Sequence, residues 1–175
     1  MQKRAKAVTF KGQPQTLVGP QLKAGDKAPD FACLSSGLEV ITLGKTPAKA
    51  RLFSVVPSLD TQVCSEQTHR FDQGIAGLKD KAACYTISLD LPFAQKRFCT
   101  AENISNMQTL SDVHNHSFGQ NYGVLIEGLP LPLLSRSIFV VDKNGTLTYV
   151  EYVPEVTSHP NYDKALDALK KAAAA

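Results

Sequence analysis

A short apolar segment that leads through a loop into a helical pattern is the feature that most constrains this chain. Residues 52–56 are apolar except for Ser54, and they have the length of a strand buried on both faces. Residues 57–61 favour a loop, and from Val63 onward apolar residues recur at helical spacing. A strand that leads directly into a helix is typical of α/β proteins. The segment therefore predicts an α/β fold with Cys64 in the first turn of a helix.

The position of Cys64 favours a reactive thiol, because unpaired N–H groups and the helix dipole stabilise negative charge at a helix N-terminus. Lowering the pKa of an ordinary thiol from about 8.5 to about 6.5 takes about 2.7 kcal/mol of preferential thiolate stabilisation. A helix N-terminus contributes about 0.3–1 kcal/mol, and up to about 2 when partly buried. A hydroxyl group and a cation are therefore expected beside the sulfur, and Thr61 is the candidate hydroxyl. These local features alone are equally compatible with a packed, unreactive cysteine.

Strand and helix patterns alternate along most of the chain. Residues 7–18 predict an N-terminal β-hairpin, and the Asn144-Gly145 pair predicts a second hairpin. Further strands are predicted at residues 38–43, 83–89 and 107–110, and on either side of the second hairpin turn at 137–141 and 147–153. Helices are predicted at residues 63–79, 91–99 and 162–169, with a brief helical turn at 118–123. We therefore predict one domain over residues 1–175, in which helices flank a mixed central sheet and residues 1–18 form a hairpin extension.

Charge and hydropathy exclude two classes of partner. The 19 basic and 16 acidic residues give a net charge of +3, which is too small to indicate nucleic-acid binding. The most apolar region, residues 123–134, is interrupted by Glu127 and two prolines and is too short to span a bilayer. The N-terminus lacks the apolar segment of a targeting signal. We therefore expect a cytoplasmic protein that binds neither nucleic acid nor membranes.

The four cysteines do not form a Cys-x-x-Cys pair, and a chain of this length does not need disulfide staples. Each cysteine is therefore either a reactive, catalytic thiol or a buried thiol that packs like a small apolar residue. Asp112, His114 and His116 are close in sequence, but three ligand types in one loop segment are weak evidence for a metal. No Gly-rich phosphate loop is present. We expect neither a metal nor a cofactor.

The loop before Cys64 resembles the active-site signature of a known family. The spacing of Pro57, Thr61 and Cys64 is similar to that of the peroxiredoxins, and in particular to their thiol peroxidase subgroup, the atypical two-cysteine peroxiredoxins. Segments that resemble this subgroup occur in the same order along essentially the whole chain, at residues 57–61, 91–99, 117–124, 137–142 and 149–155. The resemblance implies a thioredoxin-like fold. Gln62 departs from the subgroup, which often has proline there.

The resemblance also implies roles for individual residues. Cys64 resembles the peroxidatic cysteine, Thr61 the hydroxyl that orients peroxide and thiolate, and Pro57 the residue that shields the thiolate from water. Arg136 matches the family's arginine and is the candidate for the missing cation. On sequence pattern alone, Arg136 is more simply a surface or strand-end arginine, so its assignment depends on the resemblance. Cys99 resembles the resolving cysteine, for which a buried helix cysteine is the alternative.

The two other cysteines fall outside the matched positions. Cys84 lies in an apolar strand and is predicted to belong to the core. For Cys33, the sequence is compatible with either a buried or a partly exposed side chain. The resemblance then implies a peroxidase that reduces hydrogen peroxide and organic hydroperoxides through a Cys64 sulfenic acid and a Cys64–Cys99 disulfide. It also implies recycling by thioredoxin and a homodimer. A peroxide-sensing redox switch with little turnover is the rival interpretation, because it needs the same accessible, acidic thiol.

Overall fold

The computed structural model describes all residues from 1 to 175, which form eleven strands and four α-helices. The strands are β1 (Lys3–Phe10), β2 (Gln13–Val18), β3 (Ala32–Leu34), β4 (Val40–Thr42), β5 (Ala50–Val55), β6 (Ala82–Ser88), β7 (Gln108–Ser111), β8 (Leu125–Glu127), β9 (Leu133–Leu134), β10 (Ser137–Val141) and β11 (Leu147–Tyr152). The helices are α1 (Gln62–Gly74), α2 (Pro92–Ala101), α3 (Ser117–Asn121) and α4 (Tyr162–Ala174). The α/β class and the N-terminal hairpin are confirmed.

Seven strands form the central sheet in the order β11-β10-β5-β6-β7-β3-β4. The three middle strands, β5, β6 and β7, are parallel, and the others are antiparallel to their neighbours. The sheet is therefore mixed, as the sequence predicts. Its parallel part arises because α1 connects β5 to β6 and α2 connects β6 to β7.

Every residue of β5 and β6 is buried, which explains why these strands are nearly continuous apolar runs. Alternate residues enter two separate cores. Leu52 and Cys84 pack beneath α1, α2 and α4, whereas Phe53 and Tyr85 pack on the other face around Phe118 of α3. Helices on both faces shield the strand from which the Cys64 loop departs.

The N-terminal hairpin belongs to a second sheet that the sequence did not predict. Strands β8 and β9 extend it to four strands in the order β1-β2-β8-β9. This sheet has its own small core of Val8, Leu17, Ile126 and Val156. Val156 lies beyond β11, so the hairpin is attached to the main domain rather than extended into solvent.

Helix α1 is shorter than predicted, because it ends at Gly74 and a 3₁₀ turn (Ala76–Leu78) follows. A β-carbon at Gly74 would lie 2.7 Å from Cδ1 of Leu166 in α4, so the glycine permits the close approach of that helix. Neither α1 nor α4, each of 13 residues, nor any shorter helix combines the length and apolar character needed to cross a bilayer.

Candidate active site

Cys64 is the third residue of α1, and its side chain is fully buried. Thr61 occupies the N-cap position, but its side chain makes no bond to the helix backbone. Its Oγ1 instead donates to the Ser58 carbonyl at 2.9 Å. That bond commits the hydroxyl proton and leaves the oxygen free to accept a hydrogen bond from a bound molecule. The first-turn N–H groups of α1 are likewise left without a side-chain cap.

Arg136 precedes β10 and is only 2% exposed. Its Nη2 lies 3.4 Å from Cys64 Sγ. Two further bonds fix the plane of the guanidinium: Nε donates to the Val156 carbonyl at 2.8 Å, and Nη1 donates to Gln67 Oε1 at 2.9 Å. A cation that the sequence pattern alone assigned to the surface is therefore buried and held against the sulfur.

Gln67 is a site residue that the sequence reasoning missed. It is fully buried, and its Nε2 donates to Ser54 Oγ at 2.7 Å while its oxygen accepts from Arg136. The signal was available, because Cys64, Gln67 and Phe71 fall at i, i+3 and i+7 and share one face of α1. A polar residue within that buried stripe needs a partner, and the partner is the arginine.

A cleft of about 300 Å³ opens beside Arg136, which contacts Cys64. It brings together three of the predicted site residues, Pro57, Thr61 and Arg136, whereas the fully buried Cys64 does not line it. The other lining residues are Phe10, Lys11, Ser58, Gln62, Val63, Leu133, Val156 and Thr157. Phe10 and Lys11 come from the hairpin, and Leu133 comes from β9, so the second sheet forms one wall of the cleft. No local sequence pattern near Cys64 predicts that wall.

Cys99 is the predicted site residue that lines a separate cavity. It is a half-buried free thiol near the end of α2, and it packs against the same core cluster that contains Cys64. The cavity that it lines, of about 450 Å³, contains none of the residues of the cleft beside Arg136. Burial raises the pKa of the Cys99 thiol, and the Thr109 hydroxyl opposes that change. No disulfide joins Cys64 and Cys99 in this structure.

The sequence matches the Redoxin family over residues 23–166. The chain belongs to the redoxin family. This redoxin is 50% identical over 166 residues to a thiol peroxidase of Halalkalibacterium halodurans, a match that covers 95% of this chain and 98% of the relative. A thiol peroxidase of Bacillus subtilis is 51% identical over 163 residues, covering 93% of this chain and 96% of the relative. The resemblance to the thiol peroxidase subgroup is confirmed.

Solved structures agree with this assignment. A peroxiredoxin-like protein from Aquifex aeolicus superposes with a TM-score of 0.89 at 41% identity, covering 96% of this chain and 98% of that one. A thiol peroxidase from Chromobacterium violaceum, only 19% identical, shares the fold with a TM-score of 0.83, covering 94% of this chain and 95% of that one. The thioredoxin-like peroxiredoxin fold that the sequence implied is therefore confirmed.

The two remaining cysteines of this redoxin are buried. Cys84 lies in the core, where burial raises the pKa of its thiol to about 12. Cys33, whose exposure the sequence left open, is also fully buried. Its thiol donates to Asp112 Oδ1 at 3.6 Å, and burial together with that carboxylate raises the pKa of Cys33. Asp112 also accepts from the backbone N–H groups of Phe118 and Gly119, so its carboxylate holds the start of α3.

A cluster of polar side chains lies beside the redoxin site, where α1 meets α4. Glu66 pairs with His159 Nε2 at 3.4 Å, and His159 Nδ1 lies 2.7 Å from the Tyr162 hydroxyl. The Arg70 guanidinium lies 3.8 Å from the centre of the Tyr162 ring. Burial raises the pKa of Tyr162 to about 12, although Arg70 and Arg136 oppose that change. Tyr162 therefore remains a neutral hydrogen-bonding group at physiological pH.

Proposed function

We propose that this protein is a thiol-dependent peroxidase that reduces hydrogen peroxide and organic hydroperoxides, with Cys64 as the attacking residue. The observation that carries the proposal is the buried Arg136 guanidinium, 3.4 Å from Cys64 Sγ and beside an open cleft. A fixed cation beside the sulfur favours the thiolate, which is the nucleophilic form of cysteine. The relatives named thiol peroxidase support the same reaction class.

The first step consumes the peroxide. The Cys64 thiolate attacks one peroxide oxygen, the O–O bond breaks, and the other oxygen leaves and takes up a proton as water or an alcohol. The sulfur is oxidised by two electrons to a sulfenic acid. In this proposal Thr61 accepts a hydrogen bond from the peroxide O–H group, and Arg136 stabilises charge on the departing oxygen. The bond from Thr61 Oγ1 to the Ser58 carbonyl and the contact of Arg136 with Cys64 support these roles. Because Cys64 is fully buried, the cleft must open slightly beside Pro57 to admit the peroxide.

The second step is assigned to Cys99. Its thiol attacks the Cys64 sulfenic sulfur, a disulfide forms, and water leaves. Both cysteines lie near helix ends, where local unwinding costs little. The Asp60–Arg97 pair, at 3.6 Å, and the His69–Glu102 pair, at 3.0 Å, connect the two helix regions. Exposed side-chain pairs are worth about 0–1 kcal/mol each even when both partners are charged, so these two resist unwinding only weakly.

The reductant, the assembly and the compartment form a further part of the proposal. A dithiol protein such as thioredoxin reduces the disulfide and returns both cysteines to thiols, in the cytoplasm. The active form is a homodimer. Leu91 and Phe93 support an interface near α2, since these two apolar residues lie close together in sequence at the start of α2 and are 55% and 64% exposed. Light scattering tests the assembly, and a monomeric mass at micromolar concentration would exclude a stable dimer.

Turnover tests the function. With thioredoxin, its reductase and NADPH, peroxide is expected to drive continuous NADPH oxidation by the wild-type protein and none by Cys64→Ser. A single stoichiometric burst would instead support the peroxide-sensing switch. Cys99→Ser is expected to keep the first turnover and lose the later ones. Mass spectrometry after one equivalent of peroxide is expected to find Cys64 linked to Cys99, and a link to Cys33 or Cys84 would contradict the assignment.

A further inference from the structure

One wall of the peroxide cleft is built from two segments that are far apart in sequence. Phe10 and Lys11, at the tip of the β1–β2 hairpin, line the cleft next to Val156 and Thr157, which follow β11. Backbone bonds join the two segments, since Thr9 N donates to the Pro154 carbonyl at 2.7 Å and Val156 N donates to the Thr9 carbonyl at 2.8 Å. The tip of the hairpin is therefore part of the site.

The Glu155 carboxylate connects these segments a second time. Its Oε1 accepts from Thr9 Oγ1 at 3.0 Å and from Gly12 N at 2.7 Å. Its Oε2 accepts from Lys11 N at 3.3 Å, and from the backbone N and the Oγ1 of Thr157 at 2.8 and 2.7 Å. The bonds from Thr157, and then those from Gly12 and Thr9, lower the pKa of Glu155 to about 2. One ionised carboxylate thus receives five hydrogen bonds and fixes both halves of the wall.

The size of the cleft indicates which substrates contact this wall. Hydrogen peroxide has two bonded oxygen atoms and therefore takes up less volume than two water molecules, which occupy roughly 60 Å³ in the liquid at about 30 Å³ each. The cleft, of about 300 Å³, is several times larger. Thr61 and Arg136 line the cleft and can bind the O–O group, and the half-buried Phe10 adds an aromatic ring to the same lining. A hydroperoxide with a bulky organic group can therefore contact Phe10 while its O–O group is bound.

We propose that Glu155 is a positioning residue that sets the preference for bulky organic hydroperoxides by holding the hairpin tip against the cleft. This inference rests on the proposed peroxidase function and deepens it. Glu155 acts through Phe10 and the backbone of residues 156–157. The value of kcat/KM for hydrogen peroxide depends less on Glu155, because both anchors of Arg136 remain in a Glu155 variant. Gln67 lies outside the wall, and Val156 keeps its own backbone bond to the Thr9 carbonyl.

The test compares kcat/KM for cumene hydroperoxide with kcat/KM for hydrogen peroxide. For Glu155→Ala the cumene value is expected to fall about tenfold through a higher KM, as when a bound apolar group loses the contact of one aromatic side chain. The hydrogen peroxide value is expected to change by less than about twofold. Glu155→Gln keeps one acceptor oxygen and is expected to fall between wild type and alanine. Phe10→Ala removes the wall itself and is expected to match Glu155→Ala.

Glu151→Ala is the matched control. Glu151 lies in β11, accepts from Asn161 N at 2.9 Å and from the Tyr149 hydroxyl at 2.8 Å, and lies outside the cleft lining. It is expected to lower the melting temperature without changing the ratio of the two kcat/KM values. Equal ratios in Glu155→Ala and Glu151→Ala would overturn the inference while leaving the peroxidase intact.

Two other outcomes are also decisive. If Glu155→Ala does not fold, Phe10→Ala provides the comparison, because it removes the side chain that Glu155 is proposed to hold in the cleft. An unchanged ratio in Phe10→Ala overturns the inference. If the wild-type protein turns over neither peroxide, the proposed function fails, and the inference fails with it.

Discussion

Replacing Arg136 tests the site most directly, because the Arg136 guanidinium is the buried cation that contacts Cys64. At 3.4 Å and an effective dielectric of about 20, a full charge pair is worth about 5 kcal/mol, an upper figure because the guanidinium charge is spread over three nitrogens. The sequence argument required about 2.7 kcal/mol in total, of which a helix end supplies about 0.3–1. Burial of both groups costs part of that attraction, and the contact between Arg136 and Cys64 must outweigh this cost for the thiolate to form. Loss of Arg136 is expected to slow the first turnover on the order of a hundredfold to a thousandfold.

The assay follows sulfenic acid formation in reduced protein after rapid mixing with hydrogen peroxide at pH 7, for Arg136→Met and Arg136→Lys. The lysine keeps the charge but not the three-directional fork, so an intermediate rate is expected. Arg51→Met is the control, since Arg51 is also buried and bonds Thr46 Oγ1 and the Asp142 carbonyl, both at 2.8 Å, at the other end of β5. It is expected to reduce stability but not the rate per folded molecule. If Arg136→Met stays within about threefold of wild type, the electrostatic reasoning is refuted.

Three further predictions concern neighbouring groups. Gln67→Leu removes the acceptor of the Arg136 Nη1 hydrogen bond. We therefore expect the free energy of unfolding, measured with urea, to fall by about 1–3 kcal/mol, and the first turnover to be slower. If neither value changes, Gln67 does not hold the guanidinium. Cys33 and Cys84 are expected to stay unmodified when iodoacetamide is added to folded protein, because burial raises both thiol pKa values; alkylation at the rate seen in urea would contradict this. Because the pKa of Glu155 is lowered, its contribution to stability is present above about pH 4.5 and is lost as the pH falls towards about 2. The free energy of unfolding by urea is therefore expected to differ more between pH 3 and pH 6 for wild type than for Glu155→Gln. An equal difference in both proteins would be evidence against a stabilising role of the Glu155 carboxylate.

Much of the fold was predictable because it is local. The apolar run that became β5, the helical spacing that became α1, and the Asn144-Gly145 turn each carry their signal within a few residues. The missed elements are β3, β8 and β9, which are two or three residues long. Strands this short have no clear alternation, and they exist because a longer strand is already beside them. For the same reason, the second sheet was not visible.

Prediction of the site was uneven for a similar reason. Thr61 and Cys64 are three residues apart, so helix geometry places them together. The pattern of apolar residues does not reveal Gln67, because their helical spacing assigns Val63 to the buried stripe. In the structure Val63 is half-exposed and lines the cleft. Arg136 was assigned from the resemblance to the family and not from its surroundings.

The sequence by itself determined that a cysteine opens a helix after a buried strand, and that this cysteine needed a cation to become reactive. The tertiary structure decided which cation. Strand β10 runs antiparallel to β5, and Ser137 pairs with Val55, the last residue of β5. That register places Arg136 at the start of the loop to α1, so it reaches Cys64 across 72 positions of chain. The partners of Glu155, 143 to 146 positions away, likewise meet it only after the sheets form. Contacts of this range depend on strand register, which no local pattern of residues encodes.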